Sequence, residues 1–185
     1  MLKYNQTKGA GGRAESGVVD ILKRYSDTVF TNLRVDTLLT RKGDTEIDII
    51  AAVGDAIVIV EVKNIREIDG SISDNFWKMT GATTGEVYNA LSPLVQNRIH
   101  VRSFKNAWYA KYRKWPKVVH YVLVPNSCRR NSDHKRAGVI TISEFEEVMD
   151  RLSRKAFVPT YSGSLELAIN KNDLRFRRSD IKGGV

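Results

Sequence analysis

Four charged side chains are written into the most apolar run of the chain, "TEIDIIAAVGDAIVIVEVKN" (45–64): Glu46, Asp48, Glu61 and Lys63. Unpaired charge is costly to bury, so such residues belong on surfaces or in turns unless they do chemistry. Side chains alternate along a strand, which puts Ile57, Ile59, Glu61 and Lys63 on one face and Val58, Val60 and Val62 on the other. Glu61 and Lys63 then project from the strand end about 7 Å apart. In the preceding strand Glu46, Asp48 and Ile50 share a face, and a tight hairpin through Gly54-Asp55 sets Asp48 close to Glu61. Two carboxylates held that near each other repel, and one tends to keep its proton. A divalent cation removes the conflict. Mg²⁺ is held through one or two protein carboxylates and keeps open positions for water and phosphate oxygens. It lowers the pKa of the attacking water and stabilises the transition state, while a neighbouring lysine can hold or help deprotonate that water. Phosphodiester hydrolysis needs this combination. An acid-x-Lys alone is more often an ordinary ion pair at a strand end. The pattern becomes specific when joined to Asp48 and to a third carboxylate, Glu15, on the inward stripe of a helix.

These residues need elements to hold them. A helix begins near Ala10, with Val18, Val19 and Leu22 on one face, Tyr25 continuing it, and Glu15 on the same face at i−3 and i−4. Three β-branched runs, about Val29–Leu39, Glu46–Val53 and Ala56–Lys63, read as an antiparallel meander with turns at "RKGD" and "GD". Residues 71–91 show no sustained period and are expected to form a loop with one short strand or helix. Ser92-Pro93 reads as an N-cap and first helical position. That helix runs to about Lys114, with Val101, Phe104, Trp108 and Tyr112 buried, and stops at Pro116. A strand follows at 117–125, then a polar, basic loop at 126–138 and a short strand near Val139–Thr141. Ser143 with Glu146 forms a capping box for a last helix to about Ala156. The order implies an α/β sandwich on a mixed central sheet flanked by helices. Residues 1–157 form one domain, and 158–185 a basic tail expected to be partly disordered.

Composition narrows the setting. The 185 residues carry a net charge of +9, with −2 in residues 1–93 and +11 in residues 94–185. Such asymmetry suggests a basic surface for a polyanion beside a separate acidic feature. Arg129, Arg130, Lys135 and Arg136 form the densest loop cluster and are expected to contact nucleic-acid phosphates. "FKNAWYAKYRKW" interleaves aromatic and basic residues, which suits base stacking; core positions for Phe104 and Trp108, with Arg102, Lys105 and Lys111 solvated, account for it better. No segment has the apolar length of a membrane span, and the N-terminus lacks a signal-like apolar core. One cysteine, Cys128, excludes an internal disulfide and fits a reducing compartment, so a cytoplasmic location is expected. The three histidines are too scattered for a zinc site.

"GGRAE" ending in Glu15, "TEID" with Asp48, "VEVKN" with Glu61 and Lys63, Trp77, and "SPLVQN" with Gln96 followed by His100 resemble the PD-(D/E)XK nuclease superfamily. Within it they are most similar to the NERD (nuclease-related) family. The likeness spans residues 11–100, and the elements to residue 156 fit the family's ending; Ala14 stands where the family has glycine. The resemblance implies a restriction-endonuclease-like αβββαβ core with an extra C-terminal strand and helix. It also implies a DNA nuclease dependent on Mg²⁺ or Mn²⁺, expected to be an endonuclease. Asp48 and Glu61 would then be metal ligands, Glu15 would complete the acidic cluster, and Lys63 would be the catalytic lysine. Gln96 would orient a phosphate or the lysine, and His100 would contact the nucleic-acid backbone, with a core or surface histidine as the equal alternative. A non-catalytic DNA-binding or scaffold module with the same fold is the alternative. A restriction- or resolvase-like homodimer would share the chemistry.

Overall fold

The computed structural model describes residues 10–156 and 160–170. In chain order the elements are α1 (Ala10–Lys23), β1 (Val29–Asp36), β2 (Asp44–Val53), β3 (Ala56–Val62), β4 (Ile65–Asp69), β5 (Phe76–Gly81) and β6 (Val87–Leu91). They continue with α2 (Pro93–Tyr112), β7 (Val118–Val124), α3 (Ser132–Arg136), β8 (Val139–Thr141), α4 (Ile142–Ser153) and α5 (Ser162–Asn170). The main sheet has the order β1-β2-β3-β7-β8. β1, β2 and β3 pair antiparallel, whereas β3–β7 and β7–β8 are parallel. This is the expected mixed sheet with its αβββαβ order, interrupted by an inserted second sheet, β4-β5-β6.

β3 reads apolar on both faces because helices cover both. On one side Val58 and Val60 pack with Val18 and Leu22 of α1 and Phe145 and Met149 of α4. On the other, Ile57 and Ile59 pack with Phe104, Ala107 and Trp108 of α2 and Leu165 and Ala168 of α5. The β2–β3 hairpin closes through Gly54-Asp55, with Val53 paired to Ala56. Gly54 has φ of 55°, and a Cβ there would lie 2.1 Å from the Leu152 carbonyl oxygen. Only glycine satisfies both the left-handed backbone and the contact with α4.

The described structure differs from the sequence expectation at four places. Residues 71–91 are not mainly loop: β5 and β6 join β4 in the antiparallel second sheet. Its Ile65, Ile68, Trp77 and Met79 build a third core with Leu94 of α2 and with Val122 and Val124 of β7. The α4 capping box uses Thr141 and Glu144, two residues earlier than expected, because the helix starts directly from β8. The basic loop holds a short helix, α3, capped by Asn131. Residues 162–170, placed in the tail, form α5 on the α2 side of the sheet, where the Thr160 N–H donates to the Gly54 carbonyl at 2.8 Å. The rest of the expected disordered tail, 171–185, lies outside the described residues. Among those described, no helix is long and apolar enough to cross a membrane.

Candidate active site

The site forms where β2 and β3 part. Their ladder ends at Ile49–Val60, so the next pair in the same register is Asp48 and Glu61. Strict alternation in β2 fails here. Ile47 and Ile50 pack in the same core although they are three residues apart. Opposite the slip, between the paired Thr31 and Leu33 of β1, Asn32 takes a left-handed φ of 53°, a conformation that asparagine tolerates better than most residues. Thr45 and Ile47 therefore turn toward α2, and Glu46, Asp48 and Ile50 do not share one face as simple alternation would have it. The Asp48 carboxylate fills the gap between the diverging strands by accepting the Val62 backbone N–H at 2.8 Å.

Glu61 is fully buried. One of its oxygens, Oε2, lies 3.0 Å from His100 Nε2. The other His100 nitrogen, Nδ1, lies 2.7 Å from the Thr45 hydroxyl. Lys63 Nζ lies 2.6 Å from Oε1. That distance makes Lys63 the ion-pair partner of Oε1, short of strict hydrogen-bond alignment. Burial pushes the Asp48 carboxyl up to about 7, with repulsion from Glu61 next and Glu15 adding to it, against the Val62 N–H and the Lys63 charge. For Lys63, burial opposes the charged form most, but attraction to Glu61, a hydrogen bond to it and then attraction to Asp48 outweigh it, so its pKa is raised. Lys63 is a persistent ammonium rather than a base.

Glu15 sits half-buried on α1, three residues before the buried Val18. It acts on Asp48 through its field. Among the described residues, no three His, Cys, Asp or Glu side chains gather closely enough to hold a metal between them. Two facing carboxylates still suit a cation such as Mg²⁺, which takes only one or two and fills its remaining positions with water. The repulsion that Glu61 exerts on Asp48 is what such an ion would relieve. Gln96, in the first turn of α2, is half-buried. It lines a cleft of about 360 Å³ together with His100, Thr45, Glu46, Arg34 and Lys42.

The expected phosphate contacts fare differently. His100 is only 3% exposed and both its ring nitrogens are taken, so the nucleic-acid contact expected of it gives way to a place behind Glu61. In the basic loop every cation has a carboxylate. Arg129 pairs with Glu67 at 3.0 Å, Arg130 and Lys135 with Glu144, and Arg136 with Asp133 at 3.2 Å. Burial works to raise the Glu144 carboxyl, but Lys135, the Thr141 N–H and Arg130 together bring it down to about 2. Four cations share three carboxylates there, so the cluster keeps a net positive charge. Cys128 is buried and its thiol is pushed up to about 11, chiefly by burial, which fits an inert role.

Two residues at the site carry no expectation from sequence. Thr45 closes the chain to His100, and its only signal is its place one strand period before Ile47. Tyr88 of β6 lies near enough for its phenol to act on Lys63; its strand has no periodic signal.

Comparison with curated proteins finds no match, and comparison with solved structures finds none either. The model of the nuclease-related domain family, NERD, matches residues 10–125. That span contains the αβββαβ core, both carboxylates, Lys63, Gln96 and His100, and covers more than half of the sequence. The chain belongs to the NERD, or nuclease-related domain, family.

Proposed function

We propose that the chain is a metal-dependent deoxyribonuclease that hydrolyses phosphodiester bonds, with Asp48 and Glu61 holding a single Mg²⁺ or Mn²⁺ ion. The observation that carries this reading is the pairing of a fully buried Glu61 with an Asp48 raised to about 7 by burial and by that neighbour. Two such carboxylates at the end of an apolar sheet cost stability, and a chemical role accounts for that cost. The bound ion would supply a water of lowered pKa and a positive charge beside the phosphorus. His100, itself held by Thr45, fixes the Glu61 carboxylate. Lys63, kept protonated, orients the attacking water and offsets charge growing on the phosphate oxygens. Glu15 adds negative field and can hold a water of the ion. Gln96 donates to a phosphate oxygen from the α2 side of the cleft. We further propose DNA as the substrate, cut internally.

Incubation with linear, circular and branched DNA, with and without Mg²⁺ or Mn²⁺, tests the activity. Lys63→Met, which keeps the apolar stem, is expected to fold and bind DNA while cleavage falls by about 10²–10³-fold. A well-folded variant that cuts at the wild-type rate would remove Lys63 from the mechanism. One observation favours a second reading, a non-catalytic module: both Glu61 oxygens already have cationic or histidine neighbours. Absence of cleavage with every metal and substrate would establish that reading instead.

A further inference from the structure

Residues 87–132 contain nine Lys and Arg and no Asp or Glu, which equals the net charge of the whole chain, +9. Arg129 and Arg130, at the end of that stretch, are held by carboxylates from elsewhere. On α2 the situation is the reverse. Arg98, Arg102 and Lys105 have no carboxylate partner among the described residues. Their spacing of i, i+4 and i+7 puts them on one helical face, opposite the buried Phe104 and Ala107. They run along about 10 Å of helix axis.

An aromatic ring is built onto the same face. Arg113 closes α2 in the left-handed conformation, φ 55°, with its N–H donating to the Tyr109 carbonyl. The chain turns back, and Trp115 stacks on Tyr109 at 4.4 Å with 16° between the planes. Lys105 Nζ lies 5.7 Å from the Trp115 ring centre. The indole is fixed by these contacts and yet 57% exposed. Arg98, Arg102, Lys105, Trp115 and His120 enclose a cleft of about 290 Å³. His120 is held below its ordinary pKa by burial and then by Arg98, so the positive charge of the cleft comes from the arginines and the lysine.

We propose that this face of α2 is a second nucleic-acid contact, separate from the cleavage site, which binds a single strand. Arg98, Arg102 and Lys105 take successive phosphates and Trp115 stacks on a base. Guanidinium groups bind phosphate oxygens in pairs, and a fixed exposed indole accepts any base, so the contact is strong but tolerant of sequence. The assignment rests on nucleic acid being the partner and not on cleavage. Because α2 also carries Gln96, a strand held here is tethered to the body that holds the proposed scissile phosphate.

The test is a titration of the full chain with an oligothymidylate in EDTA, where no cut can occur, followed by intrinsic fluorescence. Trp77 and Trp108 are 1% and 3% exposed, so quenching reports Trp115. Wild type should be quenched. Trp115→Leu should lose the quenching and bind about tenfold more weakly. The triple variant Arg98→Gln, Arg102→Gln, Lys105→Gln should lower the slope of log affinity against log salt by about 2, from about 0.7 per phosphate lost. A triple variant with wild-type affinity and slope overturns the proposal. So does binding to phosphatidylglycerol vesicles, dependent on these residues, with no binding to the oligonucleotide. Oligonucleotide binding through this face without any cleavage by wild type would keep the proposal and remove the nuclease. Cleavage by wild type with an unaffected triple variant would do the opposite.

Discussion

Asp48→Asn isolates the electrostatic cost of the proposed metal site. Asparagine has the same shape and can still accept the Val62 N–H, which reaches Asp48 at 2.8 Å. It removes only the titrating charge. The Asp48 carboxyl titrates at about 7 in the folded chain against an ordinary 3.8. Below 3.8 both states hold the proton and the cost is nil. Between the two values the folded chain keeps a proton that the unfolded chain has released, so wild-type stability falls as pH rises. Above about 7 the cost is complete, on the order of 4 kcal/mol at about 1.36 kcal/mol per tenfold change in proton affinity. Asparagine does not bear it. The variant is expected to be more stable than wild type by about 4 kcal/mol at pH 8 and by less than about 2 kcal/mol at pH 5. Urea unfolding in EDTA at both pH values measures the two gaps. Equal gaps would refute the reasoning, because a proton held by the folded state alone makes the two gaps differ. The same pair reports the ion. Mg²⁺ at about 100-fold its dissociation constant should stabilise wild type by about 2.7 kcal/mol and leave the variant unmoved.

Two further outcomes follow from the same geometry. His100→Ala leaves the buried Glu61 Oε2 without its partner and should lower stability by about 2–3 kcal/mol in chemical denaturation, and adding Thr45→Ala should cost little more because the hydroxyl's partner is already gone. Gly54→Ala forces a Cβ to within 2.1 Å of the Leu152 carbonyl oxygen at φ 55°, so it should cost more than about 2 kcal/mol and show as a lower melting temperature than Gly17→Ala, whose Cβ meets nothing.

The strands of the candidate site were legible because their signals agree: β-branched runs, a Gly-Asp hairpin, and charges placed only where the apolar pattern ends. The helix α2 was legible by its Ser-Pro start, but its role was not. Its buried stripe carries Asn97, His100 and Ser103, which blur any apolar period. Each is matched by a distant group, Asn97 by the Tyr121 carbonyl and Ser103 by the Thr37 hydroxyl. Such partners exist only in three dimensions. The second sheet was hidden for a related reason. β6 is exposed or half-exposed along its whole length, so alternation has nothing to mark, and only Trp77 and Met79 in β5 point to a core. Two Ser/Thr-x-x-Glu frames overlap at 141–146, and local spacing alone does not choose between them. The basic loop shows the converse case. Its cations are plain in the sequence, while the carboxylates that pair with them come from β4, α3 and α4.

The stretch matched by the family ends at residue 125, yet the physical unit does not. A cut there would strip β8 from β7 and leave β7 as a bare edge open to pairing with other chains. It would remove Phe145 and Met149 from one core and Leu165 and Ala168 from the other. Both flanks of the sheet would lose their cover at once, and the hairpin that carries Glu61 would lose its contacts with Leu152 and Thr160. A shortened expression fragment ending at 125 should therefore be insoluble, and one ending at 156 should expose apolar surface beside Trp108. The boundary suited to cloning falls after α5, at residue 170 or later.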